Sequence, residues 1–137
     1  MTSVTVDTNV LISFLQNGDD LAQVLGRFDR LVIPFAVDAE FRAGLDLTTR
    51  SGRHHLQILE TFLADPSVEY APADSVVSQK YAMLYKVLSK QGTPIPVNDI
   101  WIASVALVRN TPVCTFDRHF RHVPLLDVIE MPNGQRA

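Results

Sequence analysis

The chain reads as an α/β protein, a three-layer sandwich in which a central, mainly parallel sheet of about five strands lies between helices. Short apolar or β-branched runs such as "SVTV", "RLVIP" and "PVCTF" alternate with longer stretches of helical periodicity, the order that parallel strands joined by crossover helices require. The length of 137 residues, 47% of them hydrophobic, suits one substantial core, so residues 1–137 are expected to form a single domain. No internal repeat, low-complexity tract or long linker divides the chain.

A first strand is expected at about residues 3–6, followed by a helix from about 8 to 16. Asn17 and Gly18 then separate a second helix, "DDLAQVLGRF", which ends near Phe28 before the strand "RLVIP". Pro34 is placed to begin the next helix, since a proline lacks only an N–H that the first turn leaves unbonded anyway. That helix runs through "FAVDAEFRAGL" to an end near Gly44, and a polar joint, "DLTTRSG", follows. Leu56, Leu59, Phe62 and Leu63 then recur at helical spacing over about 53–64, and Pro66 closes the segment before a short strand, "VEY".

A longer helix from Ala73 to about Gln91 gathers Val76, Val77, Met83, Leu84, Val87 and Leu88 mostly on one side and stops at Gly92. In "TPIPVND" two prolines hold the chain extended, and Asn98 is expected to cap the strongly apolar helix "DIWIASVALVRN". "TPVCTFD" and "LLDVIEM" supply the last strands. Trp101 is expected in the core, and the His54–His55 pair on the surface or in helix packing.

Composition removes several classes of function. There is no basic start leading into an apolar run and no uninterrupted apolar stretch of about 18 residues, so neither a signal peptide nor a membrane span is expected, and a cytoplasmic location is. The single cysteine, Cys114, has no partner for an internal disulfide and reads as a small core residue. A net charge of −3 argues at first against nucleic acid, which usually selects a basic surplus.

Four carboxylates change that reading. Asp7 ends the first strand, Glu40 lies in the helix after the second, Asp99 is in the first turn of "NDIWIA", and Asp117 ends "PVCTF". Ligands of open parallel sheets bind beyond the carboxyl ends of the strands, where strand order reverses, and all four acids can meet there. Glu40 has the longest reach, about 9 Å along its helix from Pro34 at ~1.5 Å per residue. Setting these four aside brings the net charge from −3 to +1, so RNA is not excluded. Each acid also has a plain alternative: Asp7 as a helix cap, Asp99 as a helix-dipole partner, Asp117 as a turn residue and Glu40 as an exposed helical residue.

Two unscreened carboxylates 4 Å apart repel by about 4 kcal/mol at an effective dielectric near 20, so a shared pocket calls for a cation. All-oxygen ligation suits Mg²⁺ or Mn²⁺, which keep waters and phosphate oxygens in their shell, and the chemistry that follows is phosphodiester cleavage by one ion or two. Arg42, Arg118, His119, Arg121 and His122 lie beside the acids in sequence; Arg118 and Arg42 are the candidates for RNA-phosphate contact.

The segments "VDTNVLI", "EFRAG", "NDIWIASVA", "CTFDRHF" and "HVPLLDVI", in that order over nearly the whole chain, resemble the PIN-domain ribonucleases, and in particular the VapC-like toxins of toxin-antitoxin pairs. The resemblance implies a PIN-like fold and makes Asp7, Glu40, Asp99 and Asp117 the metal-binding and catalytic acids, with Asn9 and Thr115 as polar supports. It further implies Mg²⁺- or Mn²⁺-dependent hydrolysis of RNA such as tRNA or rRNA, leaving 5′-phosphate and 3′-hydroxyl ends, in a homodimer with a cognate antitoxin whose C-terminal segment fills the groove. From the residues alone Asn9 is equally a turn or cap residue.

Two rivals remain open. A non-catalytic binding or scaffolding module would keep the acids for capping. A phosphoryl-transfer protein would use Asp7 as nucleophile, but "DTN" lacks a second acid two residues on, and no lysine ends a late strand.

Overall fold

β1 (Ser3–Val6) is built from alternating β-branched residues, and Val4, Thr5 and Val6 are all buried, as a strand covered on both faces requires. The computed structural model describes residues 2–17 and 19–132. After β1 come α1 (Thr8–Asn17), α2 (Asp19–Leu25), β2 (Arg30–Pro34), α3 (Phe35–Ala43) and α4 (Arg50–Leu63). β3 (Val68–Ala71), α5 (Ser75–Gln91), α6 (Val97–Arg109), β4 (Val113–Thr115), a 3-10 turn (His119–His122) and β5 (Val128–Glu130) complete the order.

The sheet order is β3-β2-β1-β4-β5 and every neighbouring pair is parallel. From β1 the chain steps outward through β2 to β3, then α5 and α6 carry it back past the starting strand to β4. Right-handed crossovers therefore put α1 to α4 on one face and α5 with α6 on the other; α1 packs on α2, α3 and α4, and α5 packs along α6. Strand order reverses between β1 and β4, where Thr5 pairs with Val113 and Val6 with Cys114. That register sets the residue after each strand, and hence the site.

The core runs through both layers, with Val4, Leu11, Ile33, Leu59, Ile102 and Phe120 fully buried. Cys114 lies within it, and burial followed by the nearby Asp7 charge pushes its thiol up to about 11, which leaves it unreactive. Trp101 is only half-buried, stacked on Tyr81 with ring centroids 4.0 Å apart and met edge-on by Phe35 at 5.3 Å. His54 and His55 lie on α4 with their rings 5.9 Å apart. Among the described residues no helix is long and apolar enough to cross a membrane.

Element boundaries differ from the sequence reading where local bonds decide them. α2 stops at Leu25, short of Phe28, because the Arg27 and Phe28 N–H groups turn back to Val24 and Leu25 in a tightened last turn. Gly18, expected between the first two helices, lies outside the described residues, and Asn17 closes α1. Pro34 is the last residue of β2, paired with Ala71, and α3 starts one residue later. Three residues of the expected polar joint, Arg50, Ser51 and Gly52, belong to α4, whose cap is the Thr49 hydroxyl accepting the Gly52 N–H at 2.9 Å. Asn98 does not cap α6; the helix begins at Val97 behind Pro96, and Asn98 sits inside the first turn. β5 is shorter than "LLDVIEM", since Leu125 adopts φ 64° and is 97% exposed, ending any extended run before Asp127.

Candidate active site

Because Val6 pairs with Cys114, Asp7 emerges beside Thr115 at the carboxyl end of the sheet. Its carbonyl accepts the Leu11 N–H at 3.0 Å, so Asp7 holds the N-cap position of α1. A capping carboxylate would bond the second or third amide of the helix. The Asp7 side chain instead takes the Thr8 N–H on Oδ1 at 2.7 Å and the Thr115 hydroxyl on Oδ2 at 2.7 Å. Both of its oxygens are thus committed, one to the first amide of α1 and one to β4.

Two threonines tie the acids together. The Thr8 hydroxyl donates to Glu40 Oε1 at 2.7 Å, which brings α3 to the mouth of the site and spans the reach along the helix that set Glu40 apart from the other acids. The Thr115 hydroxyl, while donating to Asp7, accepts the Asp117 N–H at 2.8 Å. Asp117 lies two residues beyond the end of β4, and its Oδ1 accepts the His119 N–H at 2.9 Å, closing an Asx-type turn. That turn presents the His119 ring, whose Nδ1 stands 3.0 Å from Asp117 Oδ1 and 3.1 Å from Asp99 Oδ2.

Asp99 is in the first turn of α6, which has no side-chain cap, so the open amide end of a 13-residue helix faces the acids. Asp7, Thr8, Asn9, Glu40, Pro96, Val97, Asn98, Asp99 and Asp117 together line one cavity of about 450 Å³. All four sequence-predicted acids are therefore brought together, with Asn9 on the same wall and Thr115 directly beneath.

The electrostatics record burial first and the crowding of the acids second. Burial raises the Asp7 carboxyl to about 6; its bonds from Thr115 and Thr8 pull the other way, and the charges of Asp99 and Asp117 add to the rise. Asp99 is also raised, chiefly by burial and further by Asp117 and Glu40, against the lowering effect of the His119 bond and charge. Both carboxylates are thus strained in the charged state and would be relieved by a cation. Asp99, Asp117 and His119 each offer a ligand atom within 4.8 Å of the others. A donor set of carboxylates with one imidazole fits a small divalent ion.

The sequence profile of the PIN domain matches residues 4–126. Ribonuclease VapC5 of Mycobacterium tuberculosis (strain ATCC 25618 / H37Rv) is 32% identical over 115 residues, spanning 84% of this chain and 83% of that protein. The chain belongs to the VapC branch of the PIN-domain family. As a VapC-type PIN domain it superposes on the structure of VapBC-1 from nontypeable Haemophilus influenzae with a TM-score of 0.80 at 25% identity, covering 94% of this chain and 98% of that one. With VapBC-5 from M. tuberculosis, a member of the VapBC family of toxin-antitoxin systems, the TM-score is 0.73 at 29% identity, over 96% of this chain and 100% of that one.

In this PIN domain the two arginines singled out from sequence sit differently. Arg118 is exposed beside Asp117, and its charge helps hold the Glu130 carboxyl below its ordinary value, after the larger effect of Arg121. Arg42 is bonded to Asp38 at 2.9 Å one turn earlier on α3 and reaches Glu60 at 3.9 Å, and it is not among the residues lining the cavity. Sequence reasoning passed over Thr8 as a support and gave His119 no place among the acids. The signal for Thr8 was its position between Asp7 and the first helical turn; for His119 it was the Asp-x-His spacing, which an Asx turn folds back on itself.

Proposed function

We propose that this chain is the toxin of a VapBC-type pair: an endoribonuclease that needs Mg²⁺ or Mn²⁺ and hydrolyses phosphodiester bonds of RNA, with tRNA or rRNA as the substrate class. What supports this reading most is the convergence of Asp7, Glu40, Asp99 and Asp117 on one cavity at the point where the sheet order reverses. The VapC identity of the relatives supports the RNA substrate.

Asp7, Asp99 and Asp117 are assigned to hold the cation, with Glu40 completing the set or orienting the attacking water. A divalent ion bound there supplies a nucleophilic water at neutral pH and a positive charge opposite the phosphate oxygens. The remaining work belongs to the protein. Thr115 and the Thr8 amide fix the Asp7 carboxylate from below, and the Thr8 hydroxyl fixes Glu40 from the side, so neither acid has to reorganise when substrate arrives. The uncapped start of α6 offers amide dipoles to a phosphate approaching over Pro96 and Asn98. Arg118, exposed and next in the chain to Asp117, is assigned to contact a neighbouring phosphate of the RNA strand.

A cognate antitoxin is the expected protein partner, its C-terminal segment occupying the groove, and a homodimer in the cytoplasm is the expected working form. The test is cleavage of a structured RNA by purified protein with Mn²⁺ present. Asp7→Asn and Asp99→Asn, each with an unchanged circular dichroism spectrum, should lower the rate at least about 100-fold; full activity in both variants would overturn the assignment and favour a binding module.

A further inference from the structure

We propose that His119 is a metal ligand through Nδ1, and that this nitrogen shifts the site's preference from Mg²⁺ towards transition ions such as Mn²⁺. The inference rests on the metal-dependent reading above and deepens it. Three carboxylates alone would make an all-oxygen site with no reason to favour one small divalent ion over the other by donor type. His119 changes the donor set.

The geometry is specific. Nδ1 lies 3.0 Å from Asp117 Oδ1 and 3.1 Å from Asp99 Oδ2, although residues 99 and 119 are twenty positions apart. Neighbouring ligands of an octahedral ion with bonds of about 2.1 Å are separated by about 3.0 Å, so each of the two nitrogen-to-oxygen separations matches an edge of such a shell, and the two oxygens lie within 4.8 Å of each other. The ring is held there by its own backbone, because the His119 N–H bonds Asp117 Oδ1 at 2.9 Å and the 3-10 turn that follows is anchored by fully buried Phe120. The side chain is 47% exposed while its two partners are 14% and 33% exposed, which places the nitrogen at the outer rim of the acid cluster and leaves the solvent side open for water or phosphate oxygen. Imidazole nitrogen is a good donor to first-row transition ions and a poor one to Mg²⁺, which demands oxygen and parts reluctantly with its waters.

The contrasting arrangement is an ion pair in which the ring substitutes for the cation. The two make opposite predictions for His119→Ala. A ligand's loss should weaken Mn²⁺ binding at least about tenfold, the lower end of the cost of losing an outer-shell partner, with Mg²⁺ affected less. Loss of a competing internal cation should strengthen both ions.

The experiment uses the full chain and two readouts that do not depend on RNA cleavage: the melting-temperature shift on titration with MnCl₂ or MgCl₂, and pulsed electron paramagnetic resonance of bound Mn²⁺. In the wild type, Mn²⁺ should stabilise at lower concentration than Mg²⁺, and the spectrum should show a directly coordinated nitrogen. His119→Ala should remove the nitrogen coupling and narrow the gap between the ions, and His119→Asn, which offers oxygen instead, should narrow the gap without restoring the coupling. Mn²⁺ bound without nitrogen coupling, or equal or tighter binding of both ions in His119→Ala, would overturn the proposal while leaving the acid site standing. No stabilisation of the wild type by either ion would sink the metal-dependent reading itself, and the ligand assignment with it.

Discussion

Asp7 carries a cost in the metal-free protein that can be measured. Its folded value of about 6 lies above the ordinary carboxylate value of 3.8. Between those values the native state binds more protons than the unfolded chain, so this group's contribution to stability is intact below about pH 4 and falls as pH rises to about 6. Two pH units correspond to about 3 kcal/mol. Asp7→Asn should therefore melt several degrees above the wild type in EDTA at pH 7.5, show a shallower fall of stability between pH 4 and 6 with the share of Asp99 left in place, and gain nothing from added Mn²⁺. A variant that melts below the wild type with the slope retained would show that Asp7 is not strained. Thr115 works one bond away, its hydroxyl serving Asp7 and the Asp117 amide together. Thr115→Val preserves shape but strips both bonds, and metal affinity measured by calorimetry should fall about 10–100-fold. Unchanged affinity would mean that the hydroxyl orients nothing. Such residues were unevenly legible. Asp7, Asp99 and Asp117 stood out because each follows or opens an apolar element, whereas Glu40 lies within α3 and was the least marked of the four. Thr8 and His119 carried only a faint local signal, and their importance becomes plain when positions 8 and 40, or 99 and 119, meet in space.

Each helix that supports the site is set by a local device, and those devices explain which boundaries the sequence revealed. Gly92 at φ 75° ends α5 where a glycine was read as a stop. Asn110 ends α6 in the same left-handed conformation, at φ 55°. Pro34 misled by one position, because a proline that can start a helix can equally finish a strand whose last N–H is not needed. Asn98 misled because a good capping residue was present while Pro96 had already fixed the entry; the side chain is thereby released to line the cavity. The start of α4 was hidden in a polar run whose meaning is packing. A Cβ on Gly52 would stand 1.9 Å from the Asp46 carbonyl oxygen. Gly52→Ala should therefore cost about 1–3 kcal/mol and lower the melting temperature by several degrees, with metal affinity preserved. An unchanged melting curve would show that the Asp46–Thr49 turn yields without penalty.

The assembled fold explains why four acids spread over more than a hundred positions converge. A five-stranded order of β3-β2-β1-β4-β5 makes β1 and β4 neighbours although they are distant in sequence, and opens a crevice at their shared carboxyl end. Asp7 and Asp117 come from that seam, Asp99 from the helix that crosses back towards it, and Glu40 from the helix next to it. Alternating strands and helices made the class of fold readable from the chain. The pairing of β1 with β4 was not written in any local pattern; the shared strand-end position of the acids pointed to it only indirectly. The most direct check on a cation-centred site is a crystal soaked in MnCl₂ and measured for anomalous scattering. A peak within bonding distance of Asp99 and Asp117, inside the cavity that Asp7 and Glu40 line, is the expected result; occupancy elsewhere, or no peak there at millimolar Mn²⁺, would contradict it.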